Sequence, residues 1–145
     1  MQKDKKIIIK ARAVILHEGK ILVVKHSEDS DFYALPGGKL EFGESPLECL
    51  KREMIEEMGV EPKVGRLLYV NTFIQKDADQ TVEFLFEVTN VKDYLNTEKI
   101  DGTHRYELFE ILWADKNENI KILPERIQID FKNDSILSDV VKFIN

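Results

Sequence analysis

Residues 45–59 contain the start and stop signals of a helix, and these signals limit the folds that the chain can adopt. Ser45-Pro46-Leu47-Glu48 has the spacing of a capping box, with proline at the first helical position. Gly59 can take the left-handed backbone conformation that ends many helices. The segment therefore predicts a helix at about residues 46–58.

The predicted helix has two distinct faces when its residues are spaced about 100° apart around the axis. The first face is an apolar stripe that consists of Leu47, Leu50, Met54 and Met58. The second face carries three carboxylates, roughly a quarter to a third of a turn from the centre of the stripe: Glu53, Glu56 and Glu57. The acidic residues therefore lie beside the core rather than opposite it.

The position of these carboxylates needs a physical explanation. A charged helix face is usually a solvated surface, but like charges three and four residues apart destabilise a helix by roughly 0.2–0.5 kcal/mol per pair. The acids also lie at the C-terminal end, where the helix dipole disfavours negative charge. Arg52 offsets part of this charge. Because hard divalent cations take several oxygen ligands, the pattern indicates a Mg²⁺ or Mn²⁺ site.

Strand-like segments make up much of the remaining chain. Residues 6–26 contain two β-branched runs around Glu18-Gly19-Lys20, a pattern that predicts a β-hairpin. A short strand broken by Pro36-Gly37-Gly38 follows. Three further runs predict strands, with a turn at residues 76–79 between the first two: residues 63–75, 81–90 and 106–114.

A second helix is predicted at the C-terminus. Asn133, Asp134 or Ser135 can cap it, and Ile136, Val140 and Ile144 recur four residues apart. The order of elements predicts an α+β fold, an α/β/α sandwich with a mixed β-sheet between the two helices. No repeat or linker divides the chain, so residues 1–145 are interpreted as a single domain.

Composition argues against several classes of protein. The net charge of −6 argues against long nucleic acid as a partner, since such binding needs a basic face. The single cysteine, Cys49, cannot form an intramolecular disulfide, and the histidines show no zinc-ligand spacing. Because no apolar run approaches membrane-spanning length, we expect a cytoplasmic protein that does not bind membranes.

Residues 38–60, GKLEFGESPLECLKREMIEEMGV, resemble the Nudix box, G-x5-E-x7-R-E-U-x-E-E-x-G-U, where U is a bulky aliphatic residue. Met54 and Val60 occupy the two aliphatic positions. The fixed positions are all matched, by Gly38, Glu44, Arg52, Glu53, Glu56, Glu57 and Gly59. The chain is thereby identified as similar to the Nudix hydrolases, in particular to small MutT-like members.

The resemblance implies the hydrolysis of a nucleoside diphosphate linked to another moiety, by attack of water on phosphorus. It implies that Glu53, Glu56 and Glu57 ligate Mg²⁺, with Mn²⁺ as an alternative, and that Gly37 or Gly38 adds a backbone carbonyl. Metal ions also allow an acidic protein to admit an acidic substrate.

Other roles follow from positions in and near the box. Arg52 is expected to orient the carboxylates with Glu44 as its salt-bridge partner. Gly38 is expected to have a supporting structural role together with these two residues. Lys39 is a candidate phosphate contact, and either Glu53 or Glu56 is the general base. An additional acid from outside the box is expected, with two candidates: Glu107 and Glu110.

The substrate remains open among small nucleotide derivatives. A nucleoside triphosphate or nucleotide sugar is the broadest fit, because Lys76 stands where many ADP-ribose pyrophosphatases have proline, and Asp77 where many diadenosine-polyphosphate hydrolases have tyrosine. Tyr33, Tyr69 and Phe73 are interpreted as packing residues, with base stacking as the alternative. The rival hypothesis is a non-catalytic Nudix-fold sensor or interaction module. A homodimer is also left open.

Overall fold

The computed structural model describes residues 4–75 and 79–145. Its strands are β1 (Ile7–Val14), β2 (Leu16–His17), β3 (Lys20–Lys25), β4 (Tyr33–Ala34), β5 (Gly37–Lys39), β6 (Val64–Ile74), β7 (Gln80–Val88), β8 (Glu110–Asp115), β9 (Ile122–Leu123) and β10 (Lys142–Ile144). Its α-helices are α1 (Pro46–Met58) and α2 (Glu125–Lys132). Short 3₁₀ turns occupy Val91–Tyr94, Thr97–Lys99 and Arg105–Glu107.

The strands form two mixed sheets. The first sheet has the order β10-β6-β7-β1-β5, in which β1 runs parallel to β7 and antiparallel to β5. In the second sheet β3 pairs with β8 along its whole length. Strands β2 and β4 therefore share the opposite edge of β3, and β9 pairs with β4. The predicted mixed strand pairing is confirmed.

The sheets lie between the two helices, as predicted for an α/β/α sandwich. Side chains alternate along β3, so that Leu22 and Val24 pack in the core on the α1 side and Val23 packs on the α2 side. Leu50 on α1 and Ile127 on α2 are both fully buried in these cores. Across the described ranges, no helix combines the length and apolar character needed to cross a membrane.

The predicted hairpin at residues 6–26 is only partly correct. The turn is present, with Glu18 at φ +46° and Gly19 at φ +77°, and it joins β2 to β3. Strand β1 does not continue this hairpin, because it pairs with β7 over eight residues from Ile7 to Val14. Strand β1 lies inside a sheet that is covered on both faces. Small side chains such as Ala11, which is fully buried, suit this position.

Other predicted strands agree with the structure apart from their ends. Residues 63–75 and 81–90 correspond to β6 and β7, which pair antiparallel. Of the turn predicted between them, residues 76–78 lie outside the described part of the chain. The strand predicted at 106–114 begins only at Glu110, because Arg105–Glu107 forms a 3₁₀ turn.

The predicted C-terminal helix was wrong in position. The second helix, α2, ends at Lys132, and Asp134 follows with a φ of +55° that interrupts helical geometry. The segment that was expected to be helical ends instead in β10, parallel to β6. β-branched and aromatic residues suit a strand at this free sheet edge better than they suit a helix. The missed signals for α2 are Pro124 before it and the spacing of Ile127 and Phe131 on its buried face.

A buried carboxylate fastens α2 and β10 to the first sheet. Asp130 accepts hydrogen bonds from Tyr69 Oη at 2.5 Å and from Arg126 Nε at 3.0 Å, and Lys142 Nζ lies 3.4 Å away. Burial alone would raise the pKa of Asp130, but the hydrogen bonds from Tyr69 and Arg126 and the charge of Lys142 hold it below its usual value. The ionised carboxylate therefore stabilises the fold.

Replacing Asp130 with Asn should lower the free energy of unfolding by about 1–3 kcal/mol, because the charged acceptor of a buried network is lost. Urea unfolding followed by circular dichroism measures this change. Asp139→Asn is the matched control, since the Asp139 side chain is 99% exposed and pairs with Arg66 at the surface. Equal effects of the two substitutions would show that the Asp130 network does not fasten α2.

Candidate functional site

Helix α1 forms where the capping signals predicted it. Ser45 Oγ accepts from the Glu48 amide at 3.2 Å, and Glu48 Oε1 accepts from the Ser45 amide at 3.3 Å. Gly59 ends the helix at φ +71°, with its amide donating to the Ile55 carbonyl. Leu47 departs from the predicted apolar stripe: it is 46% exposed in the first turn, where it lines a surface cleft with Pro62.

Arg52 joins the loop before α1 to the carboxylates of α1. Its guanidinium makes a two-pronged ion pair with Glu44, with Nε–Oε2 at 2.7 Å and Nη2–Oε1 at 3.0 Å, so the predicted salt bridge is present. Nη1 also donates to Glu53 Oε1 at 3.0 Å and to Glu56 Oε2 at 3.2 Å. Nη2 donates to the Lys39 carbonyl at 3.0 Å. Hydrogen bonding from Arg52 lowers the pKa of Glu44, which keeps this acid ionised.

Glu57 is the buried member of the acidic cluster. Its Oε2 atom is enclosed and has no hydrogen-bond partner among the described residues. Burial, and then the neighbouring carboxylate of Glu53, raise the pKa of Glu57 above its ordinary value. An enclosed carboxylate without a donor is costly, so this position calls for a proton or a cation.

Two glycines allow β5 to pass close to this cluster. A Cβ on Gly38 would lie 2.4 Å from Cδ of Glu53, in the space that the carboxylate occupies. Gly37 has a φ of +138°, and a Cβ there would lie 2.1 Å from the Ala11 carbonyl oxygen. The Gly38 carbonyl accepts a weak contact from Cys49 Sγ at 3.6 Å. Glycine at both positions is therefore a steric requirement of the site.

The acidic cluster fits a hard divalent cation in its chemistry, but its side chains are not arranged around an ion. Within the described ranges, no group of three or more acidic, histidine or cysteine side chains is placed to hold a metal. The reason is that Glu53 and Glu56 both point to Arg52. The unpaired oxygen of Glu57 and the all-carboxylate donor set suit Mg²⁺ or Mn²⁺. An ion shared by all three acids requires Glu53 and Glu56 to turn from these positions.

A segment remote in sequence closes the C-terminal end of α1. A Cβ on Gly102 would lie 2.2 Å from the Glu56 carbonyl oxygen, so this glycine permits close contact with the helix. The amide of His104 donates to the same carbonyl, and His104 Nδ1 lies 3.2 Å from Glu56 Oε2. Glu107 Oε1 is 4.0 Å from the same Nδ1. Nothing in the sequence near His104 indicated this contact.

The structure distinguishes between the two candidates for an additional acid. Glu107 lies by the cluster, and its charge contributes to the raised pKa of Glu57. Glu110 instead accepts a hydrogen bond from Tyr33 Oη at 2.5 Å, a contact that raises the pKa of Tyr33 to about 12. Tyr33 lines a different surface cleft, together with Lys121. The structure therefore brings Glu107 to the site and does not bring Glu110.

A cleft of about 440 Å³ lies on the α2 side of the first sheet. Its lining includes Lys10, Arg12, His26, Phe32, Asn71, Phe73 and Glu83. Arg12 connects the cleft to the acidic cluster, because it pairs in register with Gly37 and its charge acts on Glu57. Lys39 pairs in register with Lys10 at the same end of β1. The cleft and the carboxylates thus lie on either side of the β1–β5 pair.

The chain is similar to known proteins over most of its length. The sequence model of the NUDIX domain family matches residues 8–128 of this chain. The 8-oxo-dGTP diphosphatase of Haemophilus influenzae is 44% identical over 61 residues, which cover 39% of this chain and 45% of that protein. Diphosphoinositol polyphosphate phosphohydrolase 3-alpha of Mus musculus is 38% identical over 74 residues, which cover 51% of this chain and 45% of that protein. The chain spans about 45% of the length of each of these relatives.

Solved structures extend the likeness to most of the chain. The MutT protein from Methanosarcina mazei Go1 superposes with a TM-score of 0.64 at 24% sequence identity. The match covers 90% of this chain and 94% of that structure. At this level of identity, the superposition establishes a shared fold.

Proposed function

Because this chain belongs to the NUDIX family, we propose that it is a metal-dependent pyrophosphohydrolase. It hydrolyses a diphosphate bond in a nucleoside diphosphate linked to another group, by attack of water on phosphorus. The observation that carries this proposal is the enclosed, unpaired oxygen of Glu57 beside Glu53 on α1. Buried carboxylate oxygens without a donor are rare, and a divalent cation at this position would satisfy the Glu57 oxygen and neutralise the charge of Glu53.

Three carboxylates would hold the ion: Glu53, Glu56 and Glu57. Mg²⁺ or Mn²⁺ in this position supplies charge neutralisation at the pyrophosphate oxygens and makes a bound water more acidic. Gly37 or Gly38 is the proposed source of an additional carbonyl ligand.

The remaining residues of the site orient the carboxylates and the substrate. Without metal, Arg52 holds Glu53 and Glu56 through hydrogen bonds to both, and the two carboxylates turn from Arg52 to share an ion with Glu57. Either Glu53 or Glu56 accepts the proton of the attacking water, and Glu107 is the additional acid. The Lys39 side chain contacts a phosphate group.

The cleft on the α2 side holds the nucleoside part of the substrate. Phe32 and Phe73 give it apolar aromatic surface for a flat ring, and Arg12 lies between this surface and the acidic cluster. The two relatives named above act on different compounds, an oxidised nucleotide and a diphosphoinositol polyphosphate. The aromatic lining favours the nucleotide.

A substrate panel tests the proposal. Nucleoside triphosphates, nucleotide sugars, ADP-ribose and a diphosphoinositol polyphosphate are incubated with the protein and either Mg²⁺ or Mn²⁺, and released phosphate, pyrophosphate and nucleoside monophosphate are measured. We expect turnover of at least one nucleotide, no turnover in EDTA, and little turnover of the inositol compound. Nucleotide binding without turnover under every condition would contradict the enzyme and support a sensor.

A further inference from the structure

A chain of polar contacts forms the floor of the cleft. Asn71 on β6 and Glu83 on β7 are register partners, 3% and 5% exposed. Asn71 Nδ2 donates to Glu83 Oε1 at 2.9 Å, and Arg12 Nε donates to Glu83 Oε2 at 2.7 Å. Arg12 is held in turn by its Nη1 contact with the Leu35 carbonyl at 3.0 Å. Both carboxylate oxygens of Glu83 are therefore occupied.

These contacts fix which end of the Asn71 amide is available. A carboxylate paired with an arginine is ionised and only accepts hydrogen bonds, so the amide must turn its NH₂ group toward Glu83. Its Oδ1 atom then has no donor in the described part of the chain, and it is not among the enclosed unpaired atoms there. Since Asn71 lines the cleft, Oδ1 is an acceptor offered to a ligand.

We propose that Asn71 is a specificity-determining residue that accepts a hydrogen bond from an N–H group on the edge of the substrate's base. The inference rests on the proposed function and extends it by naming what the cleft recognises. An ionised phosphate offers no hydrogen-bond donor to Asn71 Oδ1, and the O–H donors of a sugar come without a flat apolar face. A nucleobase offers both a donor edge and a flat apolar face for Phe32 and Phe73.

Glu83 acts through Asn71 and is a positioning residue. In Glu83→Gln the new amide can donate to Asn71 Oδ1, which allows the Asn71 side chain to present its NH₂ group to the cleft instead. This substitution keeps the size of the side chain and removes its charge. It should therefore change which bases are preferred rather than abolish binding of all of them.

Calorimetric binding of nucleoside monophosphates without metal tests the proposal. The ligands form pairs that differ at one N–H donor: GMP with IMP, GMP with 1-methyl-GMP, AMP with purine riboside monophosphate, and UMP with 3-methyl-UMP. In wild type we expect the donor-bearing member of at least one pair to bind about 10- to 100-fold more tightly. The other member leaves Oδ1 of the buried Asn71 side chain without a hydrogen-bond donor, which costs binding free energy. Asn71→Leu should remove that difference, and Glu83→Gln should reduce or reverse it. Ribose 5-phosphate should bind all three proteins alike.

The outcomes separate this inference from the proposed function. Nucleoside monophosphates contain no diphosphate bond, so their binding does not depend on turnover, which the substrate panel measures. Equal affinities within every pair for wild type would overturn the role of Asn71. An equal loss for all ligands in Asn71→Leu would show only a structural role. If Asn71→Leu does not fold, an unchanged preference in Glu83→Gln overturns the proposal.

Discussion

Glu53→Gln and Glu56→Gln should each lower kcat by roughly 10²- to 10⁴-fold while the melting temperature without metal changes little. Glutamine keeps the size of the side chain and can still accept from Arg52, which contacts both acids at 3.0 Å and 3.2 Å. It removes the negative charge that the proposed metal site and the proposed general base require. Relief of repulsion between neighbouring carboxylates can even raise the stability of the metal-free protein slightly.

Glu48→Gln is the matched control for these two variants. Glu48 lies on the same helix, its substitution removes the same charge, and its side chain pairs with the capping residue Ser45 rather than with the acidic cluster. Glutamine preserves a capping box, so kcat should stay within about twofold of wild type. The assay uses the substrate that the panel identifies, with a metal-free thermal melt of each variant beside it. A collapse of folding in Glu53→Gln or Glu56→Gln would mean that these carboxylates are structural.

Leu50→Ala and Met54→Ala should show the opposite pattern. Both side chains are fully buried between α1 and the sheets, and such large-to-small changes cost about 2–5 kcal/mol of unfolding free energy. Their side chains make no part of the acidic cluster. At a temperature where each variant is folded, kcat should therefore stay near the wild-type value.

Leu47→Ala tests whether the loss of stability comes from burial of the side chain or from its position on the apolar face of α1. Leu47 was predicted to share the apolar stripe with Leu50, but it is 46% exposed. Its truncation should cost about 0.5 kcal/mol or less, as for other surface positions. Urea unfolding of the three variants measures the differences. If Leu47→Ala lowers the free energy of unfolding as much as Leu50→Ala does, then burial of the individual side chain does not explain the effect.

Local signals in the sequence were sufficient where one segment forms one element. The capping box at Ser45 and the left-handed Gly59 determine α1 through contacts within a few residues, and both are present in the structure. The same is true of the Arg52–Glu44 ion pair, which lies within one loop-helix unit. Features of this kind depend little on the rest of the fold.

Predictions that depended on long-range pairing were weaker. Strand β1 pairs with β7, about half the chain away, and no local pattern could distinguish this from continued pairing within the hairpin. The C-terminal residues have apolar spacing that suits a helix, yet the free edge of β6 takes Lys142–Ile144 as a parallel strand. Tertiary contacts decided both cases against the local pattern.

The candidate site also combines residues that local sequence predicted with residues that only the tertiary structure brings together. The carboxylates of α1 were predicted as a group because they are neighbours in sequence, whereas His104, Asn71 and Glu83 come from separate segments. Each looks like an ordinary polar residue of a strand or turn in the sequence. The strand register and the close approach of Gly102 to α1 bring them to the site. Glu107 and Glu110 were both predicted as acids from outside the box, and of these two Glu107 lies by the cluster.

Calorimetric titration of metal-free protein with Mg²⁺ and with Mn²⁺ measures whether the carboxylates of α1 bind a divalent cation, as the proposed function requires. We expect wild type to bind and to melt at a higher temperature with metal, because a ligand that binds only the folded state stabilises it. Glu53→Gln/Glu57→Gln should bind at least about tenfold more weakly, which is the loss of about 1.4 kcal/mol. Equal binding of both ions to wild type and to the double variant would place the metal elsewhere and contradict the proposed mechanism.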